Sequence, residues 1–180
     1  MSQNKTRILG ISGSLRPTSS ASAVLNVVAK PFPAHVDFKI YNSLAAIPAF
    51  NDSDEIPAPV ANFIKLVTEA DGVFFCIPEY AFGVPGALKN LLDWTVASTA
   101  FSDKPVALIT AASQGDKAHA ALLLTLSAIG TKMEDGAGLV ISFIRTKLNE
   151  NNEVKDVVTM DAITRVVQTF LQAVEMSSEL

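Results

Sequence analysis

A chain of 180 residues, 49% of them hydrophobic, is long enough for one domain with a sizeable core, and its apolar stretches are only strand-length, which excludes a membrane span. Its net charge of −4, with Lys and Arg scattered along the chain, argues against a nucleic-acid partner, which needs a basic face. The single cysteine, Cys76, forms no intramolecular disulfide and suits a cytoplasmic protein, as does a stretch from Met1 to Arg7 with no signal-peptide core.

The pattern predicts a first strand over about Arg7 to Ile11, followed by a polar loop and a helix that buries Val24, Leu25 and Val28. Val36 to Tyr41 alternates more and reads as an edge strand. Asn42 to Pro57, with Pro48, Asn51, Asp52 and Ser53, reads as an irregular excursion. The second helix places Val60, Phe63, Ile64 and Val67 on one face at i, i+3, i+4 and i+7. Gly72 to Ile77 is apolar throughout, the mark of a strand covered on both faces.

A third helix is expected over Gly86 to Ser98, a fourth strand over Pro105 to Ala111, and a fourth helix over Lys117 to Ile129. The fifth strand is expected over Gly138 to Ile144, and the last helix from Val157 to Met176 carries an apolar stripe through Ile163, Val166, Val167, Phe170, Leu171 and Val174. Five strands alternating with five helices imply a three-layer, doubly wound parallel α/β domain. Right-handed crossovers and this length favour the flavodoxin-like strand order 2-1-3-4-5. Such folds bind ligands outside the carboxyl ends of the strands near the switch between strands one and three. The loops of interest are therefore Ser12 to Ser20, Pro78 to Pro85 and Ala112 to Asp116.

The first of these offers five hydroxyls, a flexible Gly13, the cation Arg16 and the amino-terminal N–H groups of the following helix. Those donors suit an anion such as a phosphate, and a plain serine-rich turn capped by Ser19 or Ser20 accounts for the local pattern equally well. The loop is neither a Walker loop nor a GxGxxG fingerprint. In the second loop two prolines restrict the backbone and two glycines, Gly83 and Gly86, permit conformations that other residues resist. Such a loop suits a planar ring with hydrogen-bonding edges, or else simply covers the core with Tyr80 and Phe82.

Taken together, these segments resemble a known family. Gly13-Ser14-Leu15-Arg16 followed by Ser19 resembles the first motif of the NADPH-dependent FMN reductases, and Pro78-Glu79-Tyr80, Gly83, Pro85-Gly86, Leu88-Lys89-Asn90 and Asp93-Trp94 resemble the second. The resemblance covers the chain from Arg7 to the last helix. It implies one FMN-binding domain over residues 1–180, with the flavin phosphate on the loop of Ser12, Ser14, Leu15, Arg16 and Ser19. It places the isoalloxazine ring near Pro78, Glu79, Tyr80, Ala81 and Gly83, with Ser113 and Gly115 of the third loop beside it. It further implies electron transfer from NADPH or NADH through FMN to a small acceptor such as a free flavin or quinone, in a homodimer or homotetramer. No protein nucleophile or acid–base dyad is expected, because the flavin carries the chemistry.

The pattern is not complete. The first motif usually has Asn where this chain has Ala21, the second usually continues with Asn where this chain has Ala81, and the third loop keeps only Gly115 of a glycine-rich run. A flavin-binding redox sensor or electron carrier without nicotinamide turnover is the alternative reading. Cys76 is expected to be an inert core thiol, and His35 and His119 ordinary side chains and not metal ligands. Lys89, Asn90 and Asp93 read as a helix-stabilising set, and Trp94 as a core or interface residue, which with Val96 and Ala97 forms a candidate interface patch on the third helix.

Overall fold

Five strands alternate with six helices along residues 5–178, which the computed structural model describes. Met1 to Asn4, most of the segment read above as free of a signal-peptide core, lie outside the described residues. The elements run β1 (Thr6–Ser12), α1 (Ser20–Val28), β2 (Val36–Tyr41), α2 (Ala58–Glu69), β3 (Gly72–Ile77) and α3 (Gly86–Asp93). They continue with β4 (Val106–Ala111), α4 (Asp116–Ala128), β5 (Gly138–Ile141), α5 (Ile144–Lys147) and α6 (Val157–Ser177).

All strands pair in parallel in the order β2-β1-β3-β4-β5, so the sheet is the expected flavodoxin-like one. Side chains alternate across it. On one face Phe74 and Cys76 of β3 pack with Ile109 of β4 against α1 and α6. On the other, Phe75, Ile77 and Leu108 pack against Phe63 of α2, Leu88 of α3 and Leu122 of α4. Every residue of β3 and β4 is buried, which is why both read as unbroken apolar runs. Cys76 is fully buried, and burial raises its thiol pKa far above the ordinary value, consistent with an inert core role.

Three boundaries differ from expectation. Strand β5 stops at Ile141, and Phe143 enters the left-handed region at φ 53° before the short helix α5, which the apolar run Val140 to Ile144 had concealed. Helix α3 ends at Asp93, with the Thr95 hydroxyl donating to Leu92 O at 2.7 Å in the turns that follow. Pro105 stands before β4 and forms only an isolated bridge with Lys132, having no N–H to give to a ladder. The excursion after β2 includes a 3-10 turn at Leu44–Ala46.

Candidate functional site

The loops after β1, β3 and β4 meet at the carboxyl edge of the sheet. The β1 loop begins at Gly13, where a Cβ would stand 2.9 Å from Ile77 Cγ2, so only glycine lets the chain pass this close to β3. Ser14 and Ser19 are buried, Arg16 and Leu15 exposed. Ser19 is the N-cap of α1, its hydroxyl accepting the Ser22 N–H at 3.0 Å. The Arg16 N–H donates to Ser14 Oγ at 3.1 Å, and the Ser12 and Ser19 hydroxyls both meet Ser22 Oγ, at 2.9 and 2.8 Å. Among the described residues the Ser20 and Ala21 N–H groups have no acceptor, as first-turn amides do not. The loop thus combines a capped helix end, amides left open by the helix start and a guanidinium that has no ion pair among the described residues, the donor set an anion takes.

In the β3 loop the special backbone does not fall on the glycines. Tyr80 and Gly83 exchange both backbone hydrogen bonds, at 3.2 and 2.9 Å, and the two residues between them, Ala81 and Phe82, have φ of 49° and 59°. This corrects the expectation for Gly83 and Gly86, neither of which has positive φ. A two-residue turn with both φ positive normally carries Asn or Gly, and each left-handed L-residue costs roughly 1–2 kcal/mol. Phe82 projects its ring outward, 69% exposed, and Tyr80 is half exposed. The Tyr80 hydroxyl lies 3.3 Å from Ser14 Oγ and so joins the β1 and β3 loops directly.

Glu79, next in this loop, turns toward α4. Its Oε2 accepts the Ala118 N–H at 3.0 Å, at a helix whose N-cap, Gly115, has no side chain. Gly115 sits at φ 108°, and a Cβ there would stand 2.9 Å from Val140 Cγ1. Ser113 is exposed beside it.

A cleft of about 210 Å3 runs between these loops, lined by Arg16, Ser19, Pro78, Glu79, Tyr80 and Ser113. Its further wall is Phe143, Ile144, Arg145 and Thr146, which the sequence reading missed. A neighbouring groove of about 400 Å3 lies on the β2 side of Arg16 and takes in Ser12, Ser14 and Leu15. Ala81 and Gly83 stand in the turn at the edge of the cleft and do not line it.

The second half of the β3 motif both stabilises its helix, as expected, and holds the excursion after β2, which was not expected. Asn90 accepts the Phe50 N–H at 2.8 Å and donates to Pro48 O at 2.9 Å, while Trp94 Nε1–H donates to the same carbonyl at 2.9 Å. Trp94 is buried, with Phe50 edge-on to its ring at 5.1 Å, so of its two expected places it takes the core and not the exposed patch; Val96 is exposed. Lys89 does pair with Asp93, at 2.5 Å. Of the histidines, His35 faces Glu175 at 3.9 Å, and His119 Nδ1 hydrogen-bonds Thr110 Oγ1 at 2.9 Å.

Residues 6–143 match the family model of the NADPH-dependent FMN reductases. The NADH:(hydroxy)cinnamate reductase subunit CrdA of Vibrio ruber is 26% identical over 96% of this chain and 89% of its own length. The quinone reductase of Escherichia coli K12 is 33% identical over 62% of each chain, so the chain spans less than two thirds of that relative. The fold is shared with the flavoenzyme NAD(P)H:(acceptor) oxidoreductase FerB of Paracoccus denitrificans, with a TM-score of 0.84, 23% identity and coverage of 95% of this chain and 98% of that one. With its carboxyl-edge cleft framed by both sequence motifs, the chain belongs to the NADPH-dependent FMN reductase family of oxidoreductases.

Proposed function

We propose that the chain is a single FMN-binding domain that passes electrons from NADPH or NADH to a small acceptor, a free flavin or a quinone. One observation carries this reading: the Ser14 hydroxyl and the Tyr80 hydroxyl, 3.3 Å apart, bring the anion-binding loop and the rigid β3 loop to one cleft. The donor set fits FMN. Ser14, Arg16, Ser19 and the free amides of Ser20 and Ala21 match a terminal phosphate, with Ser12 fixing Ser22 and Leu15 flanking the cation.

Pro78, Glu79 and Tyr80, which line the cleft, would lie along the ring with Ser113 on the β4 side, while Ala81, Gly83 and Gly115 would shape the loops that carry them. Bound FMN would supply the two-electron relay between nicotinamide and acceptor. The chain's own residues bind and orient: Arg16 neutralises the phosphate, Glu79 sets the spacing of the loops, and the Ala81–Phe82 turn holds Tyr80 in place. A cytoplasmic homodimer or homotetramer is part of this proposal; among the described residues no helix is long and apolar enough to cross a membrane.

Flavin-free protein titrated with FMN, FAD and riboflavin tests the reading. FMN should bind tightest, the loaded protein should oxidise NADPH or NADH when a quinone is present, and Arg16→Ala should lower FMN affinity about tenfold. Equal affinity for FMN and riboflavin would refute the placement of the phosphate. FMN binding without NADPH or NADH oxidation would support an electron carrier instead.

A further inference from the structure

Two guanidinium groups reach the cleft, and only one of them belongs to a recognised motif. Arg145 comes from α5, on the wall contributed by the segment after β5, and it shares the cleft with Arg16, Ser19 and Ser20 at the amino end of α1. Among the described residues neither arginine forms an ion pair. Glu79, which also lines the cleft, has one carboxylate oxygen engaged by the Ala118 N–H.

The backbone that presents Arg145 is fixed. The Phe143 N–H donates to Ser113 O and the Ile144 N–H to Ala112 O, both at 3.1 Å, and the Ser142 hydroxyl donates to Gln114 O at 2.9 Å. These bonds stitch the segment to the β4–α4 loop. Phe143 turns the chain through the left-handed region, an arrangement that costs a bulky residue energy and persists because the surrounding bonds hold it. Ile144, buried at 2% exposure, anchors the next residue to the core on the α1 side of the sheet. Arg145 follows directly, exposed and without an ion pair among the described residues.

A phosphate monoester carries a charge of about −1.5 to −2 at neutral pH. Arg16 alone leaves such a group undercompensated, and Ala21, whose side chain is a buried methyl, contributes no side-chain donor. We propose that Arg145 is a second cationic ligand of the flavin phosphate, supplied by the β5–α5 segment in addition to the first-motif residues. The inference rests on the functional reading above, since it assumes that FMN is the ligand of this cleft.

The test is a fluorescence titration of flavin-free protein with FMN and with riboflavin, for wild type, Arg145→Ala and Arg145→Lys. Arg145 is solvent-exposed, so the effect is screened, and Arg145→Ala should weaken FMN about fivefold to tenfold while leaving riboflavin affinity unchanged. Arg145→Lys should recover part of the loss, and added salt should weaken FMN binding more steeply in wild type than in Arg145→Ala. Unchanged FMN affinity in Arg145→Ala, equal losses for FMN and riboflavin, or intact FMN affinity with a raised KM for NADPH would each overturn the assignment while leaving the functional reading intact. A wild-type protein that binds no FMN would overturn that reading and this inference with it.

Discussion

The Glu79 carboxylate accepts the Ala118 N–H at 3.0 Å, taking the third amide of α4, the one an N-cap side chain ordinarily satisfies. Gly115 occupies the N-cap position because its backbone is left-handed and a Cβ would meet Val140, so the helix has no cap of its own. The β3 loop provides the cap from 39 residues away, and the two walls of the cleft become one mechanical unit.

Glu79→Ala should therefore destabilise the protein by about 1–2 kcal/mol, the range of a lost cap with a charged acceptor. For a chain of this length that is a drop in Tm of roughly 2–8 °C. Glu79→Gln keeps an acceptor oxygen and should retain most of the stability. Thermal unfolding of the three proteins decides it; identical behaviour of Ala and Gln variants would mean that the carbonyl oxygen is not what matters at this position.

Ala81 offers a gain in place of a loss. At φ 49° it sits where Asn is favoured and Ala is strained. Ala81→Asn should stabilise by about 0.5–1 kcal/mol, and Ala81→Gly by less, because glycine also raises the entropy of the unfolded chain. Urea midpoints measure the order Asn, Gly, Ala; a destabilising Asn would contradict the left-handed turn.

How far the sequence was legible follows from where each signal resides. The parallel strands were readable because burial on both faces requires continuous apolar runs, as in Gly72–Ile77, and the alternating edge strand Val36–Tyr41 stood out for the opposite reason. The loops of Ser14 and Tyr80 stood out through their resemblance to the family's two motifs, because the residue types of each alone suit a capped serine turn or a core-covering connection as well as a ligand. Helix α5 was not, since the end of β5 is set by Ser142 and Phe143 bonding to the β4–α4 loop about thirty residues earlier. Arg145 was missed with it. The left-handed turn at Ala81 and Phe82 carries neither Asn nor Gly, so no local chemistry marks it. Trp94 read as either core or interface because its partner, Pro48 O, lies in an excursion without periodicity.

That excursion yields the next expectation. Asn90 makes two of the three hydrogen bonds from α3 and Trp94 that hold residues 48–50. Asn90→Ala should cost about 1–2 kcal/mol and release the segment. Limited proteolysis should then cut near residues 48–56 at lower protease concentration than in wild type, while α3 itself stays protected. Equal protection in both proteins would show that the Trp94 bond and the Phe50 contact suffice.

The last expectation concerns pH. His119 lies against β5: a Cβ on Gly138 would stand 3.3 Å from its Nε2, and its Nδ1 meets the buried Thr110 hydroxyl at 2.9 Å. Burial lowers its pKa below the ordinary 6.5, with the Asp116 carboxylate opposing that effect in part. The unfolded chain therefore takes up the proton at a higher pH than the folded one. The stability that neutral His119 contributes is fully present above about pH 6.5 and is lost as the pH falls through the folded value. His119→Asn keeps an amide group near the Nδ1 position and removes the titration. Carboxylates elsewhere titrate alike in both proteins, so the stability difference between wild type and His119→Asn isolates this group. Chemical denaturation from pH 8 to pH 5 should show that difference shifting against wild type as the pH drops. A constant difference would mean that Asp116 cancels the effect of burial, and one that shifts toward wild type in acid that Asp116 outweighs it; either would refute the lowered pKa.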